Sequence, residues 1–397
     1  MERHSLRLKS FLLAGLLVAT GAPAALALEA DAVGERLKAL LDRQQIDIAY
    51  GAARLSGDDV VLEDVTVRSE AGGGALPLGE LVLEDVREEG DGSLVVGTVA
   101  MDDFRHQADD VTVSLTDLRI EGLVLPADLA SDPFGGAMRY ERMEVARLDV
   151  EGRDGPIATL ENAHADVAIA EDDTMTVAGV ADSFSLNLRA MMADSANAAA
   201  ALAELGYEQL RGHARMEGSW RPSDGRVTLA NYEATIENAG TLNIMVDFAG
   251  YTPAFITTME ELSDSMEESG GQNNSAQGMA MLGMMQQLTF HGMTLRFTDD
   301  SLTGRLLDYT ARKQGSRPAD VIAQAKAVIP MQLKPYLGEE LTGALTEAVG
   351  DFLENPETLE ISARPETPVP FAMLMGAAMG SPDLLIKQIG LAVTANR

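Results

Sequence analysis

The chain has 397 residues, a formal net charge of −32 at neutral pH, 46% hydrophobic residues and no cysteine. The lack of cysteine excludes disulfide bonds, thiol nucleophiles and thiolate metal sites, so an apolar core must supply the stability. The acidic charge repels nucleic acid and bare anionic phospholipid head groups, and it favours partners that carry positive charge.

The first 27 residues predict an exported protein. Basic residues precede a short apolar stretch, FLLAGLLV at 11–18, and the small residues Ala-Leu-Ala follow at 25–27. This order is typical of a cleavable signal peptide. We therefore predict a signal peptide over residues 1–27 and a periplasmic mature protein. An uncleaved anchor in the inner membrane is the alternative, because the apolar stretch 11–28 approaches the length of a membrane span.

One short phrase recurs along the chain: Leu, any residue, Asp or Asn, and then usually an apolar residue. It reads LEDV at 62–65 and 83–86, LTDL at 115–118, LENA at 160–163 and LANY at 229–232. Each copy lies in or beside an alternation of apolar and polar residues, which is typical of strands with one buried face and one wet face. The repetition favours a scaffold or container over a catalyst.

The elements before residue 300 are predicted as mainly strands. An amphipathic helix at 32–44 precedes strands from 46 to about 188, whose turns are marked by Gly and Asp. An Ala-rich helix at 191–205 and long strands at 226–246 follow. Residues 259–285 lose the alternation and become rich in Glu, Ser and finally Met.

The last hundred residues have helical periodicity. We predict a helix at 318–329 that Pro330 ends, and a second helix that ends at Asn355-Pro356. A short strand at 358–363 precedes two more helices, the last with Ser381 as N-cap and Pro382 at its first position.

The predicted fold class is therefore α+β, mainly β, an antiparallel sheet followed by a helical C-terminal segment. The domain boundaries that follow are a signal peptide at 1–27, a β-rich body with short helices at 28–300 and a helical C-terminal cap at 301–397.

No catalytic or metal-binding motif is present in the sequence. The histidines are far apart and form no paired-ligand spacing, and no nucleophile elbow or phosphate-binding loop occurs. Acidic doublets could bind calcium, but none has the spacing of a calcium loop, so a role in turns and strand edges is favoured. We predict no cofactor, no metal site and no enzymatic activity. A hydrolase with a dispersed site remains as the third alternative.

Methionines cluster in segments that are not strands. The candidate groove or lid residues are Met279, Met281, Met284, Met285, Met373, Met375 and Met379. Methionine is flexible and polarizable, so it suits a surface that accepts apolar ligands of different shapes. The alternative is that these residues fill a core where helices pack on the sheet. If they form a ligand-binding surface, these methionines either close the groove as a lid or line it.

The strand patterning resembles a known family. Residues 46–67 (IDIAYGAARLSGDDVVLEDVTV), 232–250, 295–315 and 352–370 are similar to exported bacterial envelope proteins related to AsmA, TamB and YdgA. The resemblance implies a long, strongly curved antiparallel sheet with an apolar inner groove. It also implies a role in envelope lipid homeostasis or outer-membrane assembly.

Taken together, we predict a non-enzymatic periplasmic envelope protein that shelters an apolar ligand, with lipid as the expected ligand. The alternative is an acidic structural or interaction protein that docks a basic envelope partner. Nucleic acid is not an expected partner.

Overall fold

The computed structural model describes residues 29–69, 74–108, 110–192, 195–268, 275–380 and 382–397. The predicted signal peptide, its membrane-anchor alternative and the predicted N-cap Ser381 lie outside these residues. Within the described ranges, no helix combines the length and the apolar character that a membrane span requires.

The described residues form one antiparallel sheet of 17 strands, which is curved and does not close. The predicted fold class is confirmed. The strands are β1 (Ile46–Ala49), β2 (Ala52–Ser56), β3 (Asp59–Ser69), β4 (Leu76–Glu88), β5 (Leu94–Met101), β6 (Phe104–Ala108), β7 (Val111–Leu125), β8 (Arg142–Gly152), β9 (Gly155–Ile169), β10 (Met175–Asn187), β11 (Gln209–Arg221), β12 (Arg226–Ile236), β13 (Gly240–Ala249), β14 (Thr289–Asp299), β15 (Thr358–Ala363), β16 (Val369–Pro370) and β17 (Leu391–Ala395).

The sheet is a long meander in which neighbours in sequence are neighbours in space. β1 and β2 both pair with β3, and the order then runs β3, β4, β5, β7 and on through β14. β6 extends the edge of β7 beside β5, and β16 extends the edge of β14 beside β15. β17 pairs with β15 and ends the sheet. Short turns join most successive strands, whereas helices interrupt the connections from β10 to β11, from β13 to β14, from β14 to β15 and from β16 to β17.

The recurring Leu-x-Asp/Asn phrase marks irregular points in the strands. Asp64, Asp85, Asp117 and Asn162 all have positive φ, between 49° and 54°. Asp and Asn tolerate this left-handed conformation better than other residues with a side chain. In the fifth copy, the register shifts between Leu229 and Tyr232 without a left-handed residue. The phrase therefore identifies positions where a bulge or a left-handed residue locally changes the direction of a long strand.

Two acidic doublets support these irregular points. The carboxylate of Asp59 accepts a hydrogen bond from the backbone N–H of Asp85 at 3.0 Å, and Asp103 accepts one from Asp117 at 3.2 Å. The second residue of each doublet thus satisfies a backbone donor that the interrupted pairing leaves free. A role at turns and strand edges accounts for both doublets.

Nine helices are present in the described part of the chain. They are α1 (Ala30–Asp42), α2 (Leu188–Met191), α3 (Ala196–Leu205), α4 (Pro253–Glu268), α5 (Ser275–Met285), α6 (Leu302–Gln314), α7 (Pro318–Glu354), α8 (Phe371–Gly380) and α9 (Pro382–Ile389). The predicted N-terminal helix is confirmed within two residues at each end. The Ala-rich segment forms two short helices, α2 and α3, in place of the one predicted.

The prediction that Pro330 ends a helix is wrong. Helical structure continues through Pro330 and Pro335, and the break falls at Gly338, where φ is 73° and ψ is 177°. This backbone conformation is accessible almost only to glycine. The two arms of α7 fold back on each other, with Lys326 bonded to Glu354 at 2.5 Å and Lys334 to Glu339 at 3.3 Å. α7 is therefore a helical hairpin.

The C-terminal hundred residues contribute strands as well as helices. The predicted strand at 358–363 is confirmed as β15, and β17 is a further strand that the sequence did not reveal. Helix α7 packs on both of these strands, and Phe352 in its second arm also reaches β14, where its ring meets that of Phe297 edge-on at 6.2 Å. The C-terminal region thus completes the sheet and covers its last strands.

Among the described residues, the largest cluster of buried apolar side chains lies at the N-terminal end of the sheet. Val33 and Leu40 of α1 are fully buried against β3, β4 and β5, where Leu62, Leu83 and Val96 are also fully buried. Burial of side chains of this size stabilises the fold by about 1.5–3 kcal/mol each. Helix α1 is therefore the cover for this part of the sheet.

Candidate functional site: an uncovered apolar face of the sheet

The strand pairing gives the sheet one apolar face and one polar face. From β7 to β10, the apolar face runs through four successive cross-strand partners, Leu115, Leu148, Leu160 and Phe184. Leu186 of β10 lies on the same face as Phe184. The apolar face continues over β11 to β14 as a second series: Trp220, Val227, Phe248 and Phe290 at one end, and Ala214, Ala234, Leu242 and Phe297 further along the strands. The alternate positions carry mainly charged and hydroxyl side chains.

Among the described residues, no helix packs tightly on the middle of the apolar face. Every residue of β8 and β12 is half-buried or exposed. Met216, Tyr232 and Met293, which all belong to this face, are 37%, 37% and 39% exposed. Leu62 and Leu83, beneath α1, are fully buried by contrast. Soluble proteins seldom leave a contiguous apolar patch uncovered without a binding role.

A row of alanines crosses this uncovered region. Ala163, Ala181, Ala214 and Ala234 are successive cross-strand partners on β9, β10, β11 and β12. Because adjacent strands lie about 4.8 Å apart, the row is about 14 Å long. Larger apolar residues flank it on both sides, Met216 and Tyr232 in one neighbouring row and Leu160, Phe184 and Ile236 in the other. We call this uncovered region, with the alanine row as its floor, the sheet groove.

An aromatic cluster closes one end of the sheet groove. Trp220 meets Phe134 edge-on at 6.4 Å, and its ring N–H donates to the carbonyl of Tyr251 at 2.8 Å. Tyr251 in turn packs on Phe255 of α4, which is 2% exposed. Aromatic pairs of this geometry each add about 0.5–1.5 kcal/mol beyond their burial. A packed aromatic wall therefore stands at this end of the sheet groove.

Helices α5 and α8 lie at the same end. Met284 of α5 is buried with Phe255 and Leu288, and Met285 and Phe371 pack against that cluster. The ring of Phe371 meets Phe248 at 6.5 Å and Phe290 at 6.1 Å, both edge-on. The inner sides of both helices thus contact the apolar face of the sheet.

The structure separates the seven candidate methionines into different environments. Met284 is buried, Met281 and Met285 are half-buried, and Met279, Met373 and Met375 are exposed. Met379 belongs to α8, and its side chain lies outside the described residues. The two methionine-rich segments are brought together at one end of the sheet, but Met279 and Met373 point away from the core.

The polar face is held by ion pairs between strands. Arg142 of β8 bonds Asp166 of β9 at 2.6 Å, and Arg226 of β12 bonds Asp247 of β13 at 2.7 Å. The hydrogen bond from Arg147 lowers the pKa of Asp149 below its ordinary value, and the hydroxyl of Thr159, which donates to the same carboxylate at 3.0 Å, lowers it further against the opposing effect of burial. Exposed pairs of this kind contribute about 0–1 kcal/mol each, so they set strand register more than stability.

A hollow of about 470 Å³ also lies on the sheet around the irregular points. Its lining includes the carboxylates of Asp117, Glu144 and Asp182, together with Arg119 and His164. Among the described residues, no three His, Asp or Glu side chains are arranged to hold a metal ion. The hollow therefore offers a mainly acidic surface.

A family model described as an uncharacterized protein matches residues 233–396, from within β12 to the end of β17. No curated protein matches the chain.

Sequence reasoning identified the methionine segments, and the resemblance implied an apolar groove, but neither identified the residues of β9 to β12 that form the floor of the sheet groove. The signal was present as alternating small apolar residues, such as Ala163 and Ala165 of β9 and Ala214 of β11. Each alternation predicts a strand with an apolar face. Only the pairing register shows that the alanines of four strands form one row.

Proposed function

We propose that this protein is a non-enzymatic carrier or shelter for an apolar ligand, with lipid acyl chains as the ligand class, in the periplasm of an envelope-bearing bacterium. The proposal combines the signal peptide predicted at residues 1–27 and the AsmA-like strand patterning with the sheet groove. The observation that carries it is the partial exposure of the apolar side chains of β8 and β12, beside the complete burial of Leu62, Leu83 and Val96 under α1.

The chemistry of the sheet groove suits an acyl chain. A hydrocarbon chain needs apolar contact and no specific polar partner, and each CH₂ group removed from water contributes about 0.8 kcal/mol. The alanine row gives room above the sheet, and the flexible side chain of Met216 adapts to chains of different shape.

The test is binding of a fluorescent fatty acid to the mature protein and to two single variants. Ala214→Trp places a large ring in the middle of the alanine row, and we expect at least a tenfold loss of affinity. His213→Trp is the matched control, because His213 is the preceding residue of the same strand, is exposed and lies on the opposite face. It should bind like the unmodified protein.

Circular dichroism and thermal melting establish that both variants keep the fold. Equal affinity of all three proteins, or no probe binding by any of them, would refute the sheet groove as a ligand site. Extraction of the protein purified from its own host adds a second readout, with co-purifying lipid as the expected result.

A second candidate is an interaction protein that docks a basic envelope partner. The acidic hollow around Asp117, Glu144 and Asp182 favours it, because three carboxylates face one arginine and one histidine there. An affinity for cationic peptides that falls in Asp117→Asn and Asp182→Asn, together with absent probe binding, would favour this function over the first.

A further inference from the structure

Two segments of this highly charged protein carry no charge at all. Residues 269–290 and 367–382 contain no Asp, Glu, Lys, Arg or His, although 23% of the chain is charged. Their helices, α5 and α8, lie side by side and share a cluster in which Met284, Met285 and Phe371 pack together. Two uncharged stretches that are far apart in sequence thus form one surface.

The outward side of these helices is apolar and exposed. Met279 and Leu282 of α5 are 73% and 47% exposed, and Met373 and Met375 of α8 are 52% and 39% exposed. We call these four residues the methionine surface. Both helices are short and lack charged residues along their described lengths, so no polar helix face turns this surface toward water.

The charges around the methionine surface limit what can cover it. Helix α4 packs beside α5 and carries Glu260 and Glu261, and Glu260 is already paired with Arg43. The whole chain has a net charge of −32. An anionic bilayer would therefore be repelled, whereas a bilayer without net charge meets a matching uncharged surface.

We propose that the methionine surface docks on a phospholipid bilayer of no net charge, with the four side chains inserted at the boundary between head groups and acyl chains. Apolar helices that lie in the plane of the interface bind in this way, and their affinity grows with the apolar area that they bury. Methionine suits the contact because its unbranched side chain adapts to a fluid surface. This interaction does not require the sheet groove to hold a ligand.

The experiment is flotation of the mature protein with two kinds of vesicle. Phosphatidylcholine vesicles should bind it, and vesicles in which part of this lipid is replaced by phosphatidylglycerol should bind it more weakly at low salt. The double variant Met279→Glu/Met373→Glu should bind phosphatidylcholine vesicles at least tenfold more weakly. The uncharged double variant Met279→Gln/Met373→Gln should show a smaller loss in the same direction.

Met331→Glu is the matched control, because Met331 is also 73% exposed but lies on the first arm of α7. It should bind vesicles like the unmodified protein. An equal loss in this control, or stronger binding to the anionic vesicles, would overturn the proposal. So would self-association of the protein that Met279→Glu/Met373→Glu abolishes without any binding to vesicles.

The same variants separate docking from ligand binding. Loss of vesicle binding with unchanged fatty-acid binding supports the proposal, whereas parallel loss of both shows that the substitutions disturb the sheet groove and overturns the assignment. Vesicle binding by a protein that binds no fatty-acid probe would refute the proposed carrier function and leave the docking surface standing.

Discussion

Asp85 offers a direct test of why the Leu-x-Asp phrase recurs. Its φ is 52°, a conformation that costs a residue with an ordinary side chain about 1–2 kcal/mol. Asp85→Ala should lower the free energy of unfolding by about 1 kcal/mol, Asp85→Val by more, and Asp85→Gly by close to zero. Glu84→Ala is the matched control, because Glu84 is an exposed acidic neighbour with ordinary backbone, and its effect should be about 0.5 kcal/mol or less.

The residue opposite Asp85 makes the test sharper. A Cβ added at Gly97 would lie 3.0 Å from the Cβ of Asp85 and 3.1 Å from its carboxylate. Gly97→Ala should therefore cost about 1–2 kcal/mol through overpacking. In the Asp85→Gly background the same change should cost about 1 kcal/mol less, because the opposing Cβ is gone. The four proteins form a double-mutant cycle.

The assay is thermal and urea unfolding followed by circular dichroism. With an unfolding entropy of about 2.1 cal/mol/K per residue, a loss of 1 kcal/mol lowers the melting temperature of a chain of about 370 residues by roughly 1–2 °C. Equal destabilisation by Asp85→Ala and Asp85→Gly would refute the backbone argument and assign the preference to side-chain contacts such as the 2.8 Å pair with Arg87. A cycle without coupling would refute the steric argument.

Two further predictions concern the helices. Gly338→Ala should destabilise the α7 hairpin by about 1–3 kcal/mol, because a Cβ is strained at φ 73° and ψ 177°. Limited proteolysis between the two arms should become faster in this variant, and Gly343→Ala is the control in ordinary helix. Unchanged proteolysis would show that the arms do not depend on the bend. Burial, followed by the hydrogen bond and charge of Glu35 and the charge of Asp31, raises the pKa of Tyr50 to about 12. Since the native state keeps this proton between about pH 10 and pH 12 while the unfolded state loses it, stability should fall as the pH rises through that window. Tyr50→Phe should remove the last step from the absorbance titration of the seven tyrosines, and an unchanged titration would contradict the assignment.

The sequence by itself determined the local structure. The period-two alternation gave mainly strands, the spacing of Val33, Leu37 and Leu40 gave α1 and its buried face, and Gly and Asp marked the turns. These features depend on neighbours in the chain, so a linear pattern records them. The recurring Asp and Asn also carried a signal for left-handed backbone, because few residues with a side chain tolerate it.

Only the tertiary structure decided which apolar faces are covered. Alternation shows that β9 to β12 each have an apolar face, but strand register aligns Ala163, Ala181, Ala214 and Ala234 into one row. By a local rule, Pro330 should end a helix, but helical structure continues through it. Tertiary packing overrides the rule there, since the arms of α7 are held by contacts such as that of Lys326 with Glu354. Likewise, α5 and α8 are about 90 residues apart and meet because both pack on the same end of the sheet. Long-range packing leaves no periodic trace in the sequence, and the uncovered groove and the methionine surface both depend on it.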